Sequence, residues 1–383
     1  MVEVEVDNLV DKKAAKTEKP GEDVPAVTKD KKYSKKDSSK KTFSKGKDKE
    51  PVEQATDVKS AVKALEKSLK GRISFKTKEY TAIPTGVLIL DYVIGLDTDP
   101  KGYPRGRIMD IFGWESTGKT TLMTQACIEA QKLGMTPAYI DYEQVFDEDY
   151  AVRQGINMDK LAYTRPQVME DLDPIMTQYI KAGSELIVVD SVPAMTTTKT
   201  MEGEKETLAE KARYLAQYLP KWNALIAQYG SSIMFINQMR ANIGGYVDSK
   251  ATGGKALPFY SSVRIELSVV NKESRMVEDD LSKEKEKFHS ANIVKATVVK
   301  NKVGMPSRSG EFRIVLGQGI DNMHTLRSYG EKRGFVSVNG ANISYTSPNN
   351  PSIHISAMGK ANFDQHFLDS PALFDDLRKA IGL

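Results

Sequence analysis

The nine residues GWESTGKTT at positions 113–121 constrain this chain more than any other segment. They fit the pattern G-x-x-x-x-G-K-[ST], with an apolar run from Arg107 to Phe112 before them and a helical pattern after them. In that context the glycines let the backbone wrap closely round phosphate oxygens, while loop N–H groups and the helix N-terminus supply positive potential. The motif therefore commits its flanks to a strand–loop–helix unit. Gly113, Trp114, Glu115, Ser116, Thr117, Gly118, Lys119, Thr120 and Thr121 become the phosphate-binding candidates. Lys119 is expected to reach the terminal phosphates of ATP, and the Thr120 hydroxyl to bind Mg²⁺.

The surrounding pattern agrees with an α/β reading. Further strands are expected at Pro137 to Asp141, Glu185 to Asp190 and Ser232 to Asn237, separated by longer helical stretches. Helices between such strands make right-handed crossovers, which predicts a mainly parallel twisted sheet. Val263 to Val270 and Ala291 to Lys300 alternate more cleanly and read as a hairpin at the sheet edge, with the charged stretch Asn271 to Ser290 as their connection. The core is expected over 78–328 and a small α+β C-terminal domain over 329–383. Ahead of the core, Val58, Val62, Leu65 and Leu69 line one face of a short helix within 55–77, which needs a packing partner.

Composition narrows the chemistry. Across 383 residues the formal net charge is only +4, so any nucleic-acid partner has to be argued locally. Residues 1–54 are poor in large apolar side chains and are expected to be a disordered basic tail. Its stretch from Lys29 to Lys47 reads as a solvated tail, as an electrostatic tether for phosphate backbones or as a nuclear signal. The single cysteine, Cys127, excludes an internal disulfide and a Cys-rich zinc site; it reads as a packing residue and suits a reducing, cytoplasmic compartment. Neither a signal peptide nor an apolar run of membrane-spanning length is expected.

Phosphoanhydride hydrolysis needs a second acid near the metal and a group that orients water. The buried-strand pattern LIVVD delivers Asp190 at a C-terminal strand end, the edge where such sheets bind ligands. Glu143 follows the strand ending at Asp141 and is a candidate base, with Asp141 and Glu115 as competitors. Gln238, directly after another strand, could hydrogen-bond a γ-phosphate and report its presence to the adjoining segment, Met239 to Phe259. This segment is glycine-rich and carries Arg240, Lys250 and Lys255. A loop of this kind can order on a polyanion when ATP is bound.

Taken in order, GWESTGKTT, YIDYEQVFDEDYA, LIVVDSVPA, MEGE, MFINQMR, ATGGKALPFYSSVR and VVKNKVG resemble the bacterial RecA recombinases, over about residues 55–383. The resemblance implies a RecA-type ATPase core and a DNA-dependent ATPase that forms a helical filament on single-stranded DNA. It also implies pairing of that strand with homologous double-stranded DNA, and strand exchange. By the same resemblance Glu143 is the water-activating carboxylate, and Asp190 with Ser191 is the second acidic motif. Asp147 and Tyr150 hold the adenine, and Gln238 senses the γ-phosphate. Lys300 and Lys302 match lysines that reach the ATP of an adjacent subunit, and Phe259 a residue of the subunit contact. Arg213, Arg240, Gly253 and Gly254 match positions in two DNA-facing loops, and Lys255 lies beside them.

Several positions depart from the family pattern. Trp114 replaces a proline in the phosphate loop, Pro258 a lysine near the subunit contact, and His324 a glycine that borders the nucleotide. Pro220 stands where an arginine is common, the first DNA loop lacks its methionine wedge, and Tyr246 stands where a phenylalanine inserts between bases. The chain closes on Ile381-Gly382-Leu383 without an acidic tail. Other readings are a ring helicase of the DnaB type and a non-catalytic coating protein for single-stranded DNA.

Overall fold

A computed structural model describes residues 81–95, 101–204, 208–240, 250–251, 254–278 and 285–383. The expected basic tail and the helix around Val62 and Leu65 lie outside these residues, as do Tyr246 and Gly253.

The described chain opens with β1 (Ala82–Ile83), α1 (Leu88–Ile94) and β2 (Tyr103–Pro104). There follow β3 (Ile108–Gly113), α2 (Lys119–Lys132), β4 (Ala138–Asp141), α3 (Glu148–Gln154), β5 (Ala162–Thr164), α4 (Leu172–Ala182) and β6 (Leu186–Asp190). Next come α5 (Thr198–Met201), α6 (Leu208–Tyr229), β7 (Ser232–Arg240), β8 (Lys250–Ala251) and α7 (Ala256–Tyr260). After these lie β9 (Val263–Glu278), β10 (Lys285–Asn301), β11 (Ser309–Val315), β12 (Gly319–Asp321) and α8 (Asn322–Lys332). The C-terminal part adds β13 (Val336–Asn339), β14 (Asn342–Thr346), β15 (His354–Met358), α9 (Lys360–Leu368) and α10 (Pro371–Ala380).

The main sheet has the order β12-β11-β10-β9-β3-β7-β6-β4-β5, and β8 pairs with the end of β7. Its centre, from β9 to β5, is parallel, whereas β10, β11 and β12 continue it antiparallel. Strand alternation explains why both faces are covered. Met109, Ile111, Val188, Met234 and Ile236 pack with Leu122, Met123 and Cys127 of α2. Their sequence neighbours Ile108, Ile187, Val189, Ile233 and Phe235 pack on the other face with Met176, Leu219 and Trp222. Cys127 is buried, and burial pushes its thiol up to about 12, so it is a packing residue. A third apolar cluster, built on Leu326, Tyr345, Phe363, Phe367 and Leu377, serves the antiparallel β13-β14-β15 sheet and its helices. It begins at Met323, inside α8 and ahead of residue 329.

The hairpin differs from its expected form. Of the charged stretch read as a connection, 271–278 belong to β9 and 285–290 to β10, with Glu278 opposite Lys285. Residues 271–276 and 287–289 are mostly exposed, so this two-stranded ribbon has no apolar alternation for a sequence reading to detect. The edge strands β5 and β12, and β11 between β12 and β10, are not among the expected strands. Among the described residues no helix is long and apolar enough to cross a membrane.

One partly buried carboxylate is expected to make stability depend on pH. Asp91 of α1 accepts the Thr85 N–H at 2.8 Å, yet burial raises its pKa to about 7 against the Thr85 hydrogen bonds, with Glu129 and Arg378 as charged neighbours. A group whose pKa is higher folded than unfolded binds its proton more tightly when folded. Its contribution to stability is therefore intact below pH 4 and lost as pH rises toward 7. Asp91→Asn keeps an acceptor without the charge. The loss of melting temperature between pH 5 and pH 8, read by circular dichroism, should be smaller in this variant by several degrees, on the order of 3 °C per kcal/mol. An equal loss in both proteins would exclude Asp91 as the cause.

Candidate nucleotide and DNA sites

The phosphate loop is shaped by positions that tolerate only small or left-handed residues. A Cβ on Gly113, at the end of β3, would meet the Leu267 carbonyl oxygen at 2.4 Å. Ser116 and Gly118 have φ of 57° and 86°, and Gly118 turns the chain into α2. This curls the backbone so that its N–H groups converge. Lys119 is buried, and its Nζ donates to the Trp114 carbonyl at 2.7 Å and the Gly113 carbonyl at 3.3 Å. Burial lowers its pKa, opposed by the carboxylates of Glu143, Asp190 and Glu115.

Asp190 lies across the loop at the end of β6. Its Oδ2 accepts from Thr120 Oγ1 at 3.0 Å and from Tyr139 OH at 2.6 Å. Its Oδ1 is buried and has no hydrogen-bond partner among the described residues. Burial raises the Asp190 pKa to about 6; Tyr139 and Thr120 oppose the rise, while Glu143 and Asp141 reinforce it. Beside it, Glu143 Oε1 accepts from the Ser191 hydroxyl and from Gln238 Nε2, the latter at 3.3 Å.

The competing carboxylates separate clearly. Asp141 is buried and its oxygens accept from Gln144 N, Phe146 N and Tyr163 OH at 2.7, 3.3 and 2.8 Å. It anchors the loop that carries Glu143. Glu115 is exposed on the cavity wall.

These groups surround a cavity of about 640 Å³. Glu115, Ser116, Gly118, Lys119, Thr120, Thr121, Glu143, Tyr150, Asp190 and Gln238 line it. Gly113, Trp114 and Thr117 frame the loop behind this lining. Thr117 is buried and bonds the Trp114 carbonyl at 2.9 Å. Asp147 caps α3 by accepting Tyr150 N–H at 2.8 Å, and Ser191 stands behind Glu143. The opposite wall is His289, Asn292, Ile314 and Leu316, four residues the sequence reading missed. They come from the ribbon root and β11, where a bulge between His289 and Ala291 resets the register, and no local signal marks them. His324, in the first turn of α8, does not line this cavity.

Lys300 and Lys302 are not on the wall of their own chain's cavity either. Lys300 Nζ donates to the Pro258 and Phe259 carbonyls at 2.6 and 3.0 Å, and Lys302 Nζ lies 5.8 Å from the Phe259 ring centre. Phe259 is 69% exposed, so these three residues form an outward face. Of the DNA candidates, Arg213 lies on α6, Arg240 ends β7 and Lys255 precedes α7. Gly254 comes close to α6, since a Cβ there would meet Ala212 Cβ at 2.8 Å. Two candidate DNA segments thus touch.

A glycine-bent loop with a buried lysine, a hydroxyl on the facing carboxylate and a parallel sheet behind them defines a P-loop ATPase. Comparison with known proteins narrows that class. The family profile described as RecA N-terminal domain matches residues 56–321. Protein RecA of Desulforapulum autotrophicum is 34% identical over 87% of this chain and 94% of its own length. Protein RecA of Kineococcus radiotolerans is 34% identical over 86% and 92%, and that of Campylobacter jejuni 34% over 84% and 91%. A solved structure titled "Crystal structure of the RadB recombinase" matches with a TM-score of 0.46 and 20% identity, covering 62% of this chain and 98% of that one. The chain belongs to the RecA family. It is a DNA-dependent ATPase of the recombinase kind, and the ring-helicase and coating-protein readings find no support.

Trp114 offers a direct report on the cavity, because it is 47% exposed on the phosphate loop while the other tryptophan, Trp222, is fully buried. Adding ATP with Mg²⁺ should change tryptophan emission saturably. In Lys119→Ala the change should disappear, since the loop loses its cation. An unaltered titration in that variant would remove Lys119 from phosphate binding.

Proposed function

We propose that ATP binds this cavity with Mg²⁺, that the protein assembles as a helical filament on single-stranded DNA, and that it pairs this strand with homologous duplex for strand exchange. The observation carrying the reading is the hydrogen bond from Gln238 Nε2 to Glu143 Oε1. It joins a candidate sensor to a candidate base, on a strand that runs directly into the glycine-rich basic loop.

The donor set suits a hard divalent ion. Asp190 Oδ1 is a buried carboxylate oxygen without a partner among the described residues, and the Thr120 hydroxyl is already held beside the same group. Mg²⁺, when bound with the nucleotide, would neutralise charge on the β- and γ-phosphates. The protein's own residues do the remaining work. Lys119 and the loop N–H groups hold the phosphates, and Tyr150 closes one end of the cavity. Glu143 orients a water and accepts its proton, with Ser191 fixing the carboxylate. Gln238 exchanges its bond to Glu143 for one to the γ-phosphate, which moves the start of the DNA loop. Arg213, Arg240, Gly254 and Lys255 supply backbone contacts to DNA, and Tyr246 a stacking surface.

Lys300 and Lys302 serve a neighbouring subunit's ATP in this reading, which is supported by their outward face with Phe259. The separate C-terminal apolar cluster supports a second domain after the core.

Phosphate release with and without single-stranded DNA tests the proposal. Glu143→Gln should keep ATP binding and filaments visible by electron microscopy while slowing hydrolysis at least about a hundredfold. Hydrolysis near the normal rate would remove Glu143 from its role. Lys300→Ala/Lys302→Ala protein and Lys119→Ala protein should each be inactive, yet mixing them should partly restore hydrolysis at hybrid seams. No restoration would mean that these lysines do not act across subunits.

A further inference from the structure

Behind the cavity, β3 carries a carboxylate that the proposed hydrolysis does not use. Asp110 is fully buried, and its Oδ2 accepts from Arg264 Nε at 2.8 Å across the β3–β9 pairing, where the two residues are in register. Its Oδ1 is buried without a hydrogen-bond partner among the described residues. Burial raises its pKa, Arg264 opposes the rise most strongly, and the Asn237 amide beside it adds to that opposition. Asn237 is fully buried too, and its Oδ1 accepts the Gln238 N–H at 3.0 Å. The Gln238 side chain in turn reaches Glu143.

On the other side the pair meets the outward face. The Arg264 guanidinium lies 4.5 Å from the Phe112 ring centre, and Arg264 is in register with Lys300 on β10. Lys300 holds the carbonyls of Pro258 and Phe259. A short series of contacts therefore joins Phe259, Lys300, Arg264, Asp110, Asn237, Gln238 and Glu143. A buried ion pair is a poor stabiliser, because two apolar side chains of similar volume often do as well or better. This one sits in the middle of the sheet, on the strand whose end, Gly113, pairs with the candidate sensor Gln238.

We infer that Asp110 is a positioning residue: with Arg264 and Asn237 it fixes the Gln238 peptide relative to β9, so that seating the subunit face and setting the sensor occur together. It touches no substrate and acts through Asn237. The inference rests on the reading of Gln238 as the γ-phosphate contact.

The test uses the full chain and measures melting temperature, ATP KM, and the ratio of phosphate release with single-stranded DNA to that without it. Asp110→Asn leaves Arg264 uncompensated, so the melting temperature falls. The DNA stimulation ratio should fall about tenfold with ATP KM changed less than about twofold, the scale expected for a residue that modulates coupling. Asp110→Asn/Arg264→Gln removes both charges and should recover the melting temperature without recovering stimulation. This double variant keeps the test decisive if the single variant fails to fold. Recovery of both quantities would show that the pair is only structural, and unaltered stimulation in Asp110→Asn would equally overturn the inference. Gln238→Ala, measured alongside, separates the two readings. If it loses stimulation while the double variant keeps it, only the inference about Asp110 fails. If Gln238→Ala keeps stimulation, the sensor reading falls and the inference falls with it.

Discussion

A parallel sheet covered on both faces leaves one place for polar chemistry, the line where its strands end. β3, β7, β6 and β4 run side by side in the same direction, and residues at or near their C-terminal ends stand in register: Gly113 opposite Gln238, and Asp141 opposite Asp190. Upstream, with Asp110 of β3 and Asn237 of β7 as exceptions, the strands are largely apolar on both sides because each side meets a helix layer. The loop glycine, the amide and the carboxylates are therefore brought together by strand direction and register before any of them makes a specific contact. The rest of the site refines that placement.

The refinement is electrostatic. Three carboxylates, Asp141, Glu143 and Asp190, share this edge with one buried lysine, and each acid has a different way of tolerating the others. Asp141 is surrounded by two backbone N–H groups and a phenol, so its charge is used in holding the loop. Glu143 has only side-chain partners, which can leave it without disturbing the backbone. Asp190 keeps one oxygen without a partner among the described residues and has a raised pKa. Lys119 is shifted in the opposite sense by the same burial. Both shifts push the groups toward neutrality, and an anionic phosphate beside Lys119 together with a cation beside Asp190 would reverse both. In the proposed reading, that mutual relief is why nucleotide and metal bind as one unit.

The sequence made the central strands, the phosphate loop and Asp190 legible, because each carries a strong local pattern. LIVVD is a continuous apolar run ending in one acid, and such a run has few alternative placements. Position alone does not separate Asp141 from Glu143 as the candidate base, since both stand near the same strand end, and the family resemblance is what points to Glu143. That the Gln144 and Phe146 N–H groups reach Asp141 is a property of loop geometry that no local pattern marks. The far wall was hidden for a different reason. His289 and Asn292 lie where a solvated ribbon enters the sheet, so neither hydrophobic period nor motif marks them, and the bulge there shifts the side-chain alternation. Asp110 lies within an expected strand and carries no local signal, because its partner Arg264 is 154 positions away in the chain.

The segment from Gly254 to Tyr260 connects these features mechanically. Gly254 comes against Ala212 next to Arg213, Pro258 and Phe259 hold Lys300 through their carbonyls, and Phe259 projects outward. At the other end of the same loop, Met239 and Arg240 continue β7 past Gln238 and pair with Ala251 and Lys250. The two ends of the glycine-rich stretch thus lead into β7, which carries Gln238, and, through α7, into β9, which pairs with the β10 strand that carries Lys300. β3 lies between them and bonds to each, and Asp110 sits on it, beside Arg264 of β9 and Asn237 of β7. β3 is therefore the strand that any displacement of β7 against β9 must cross.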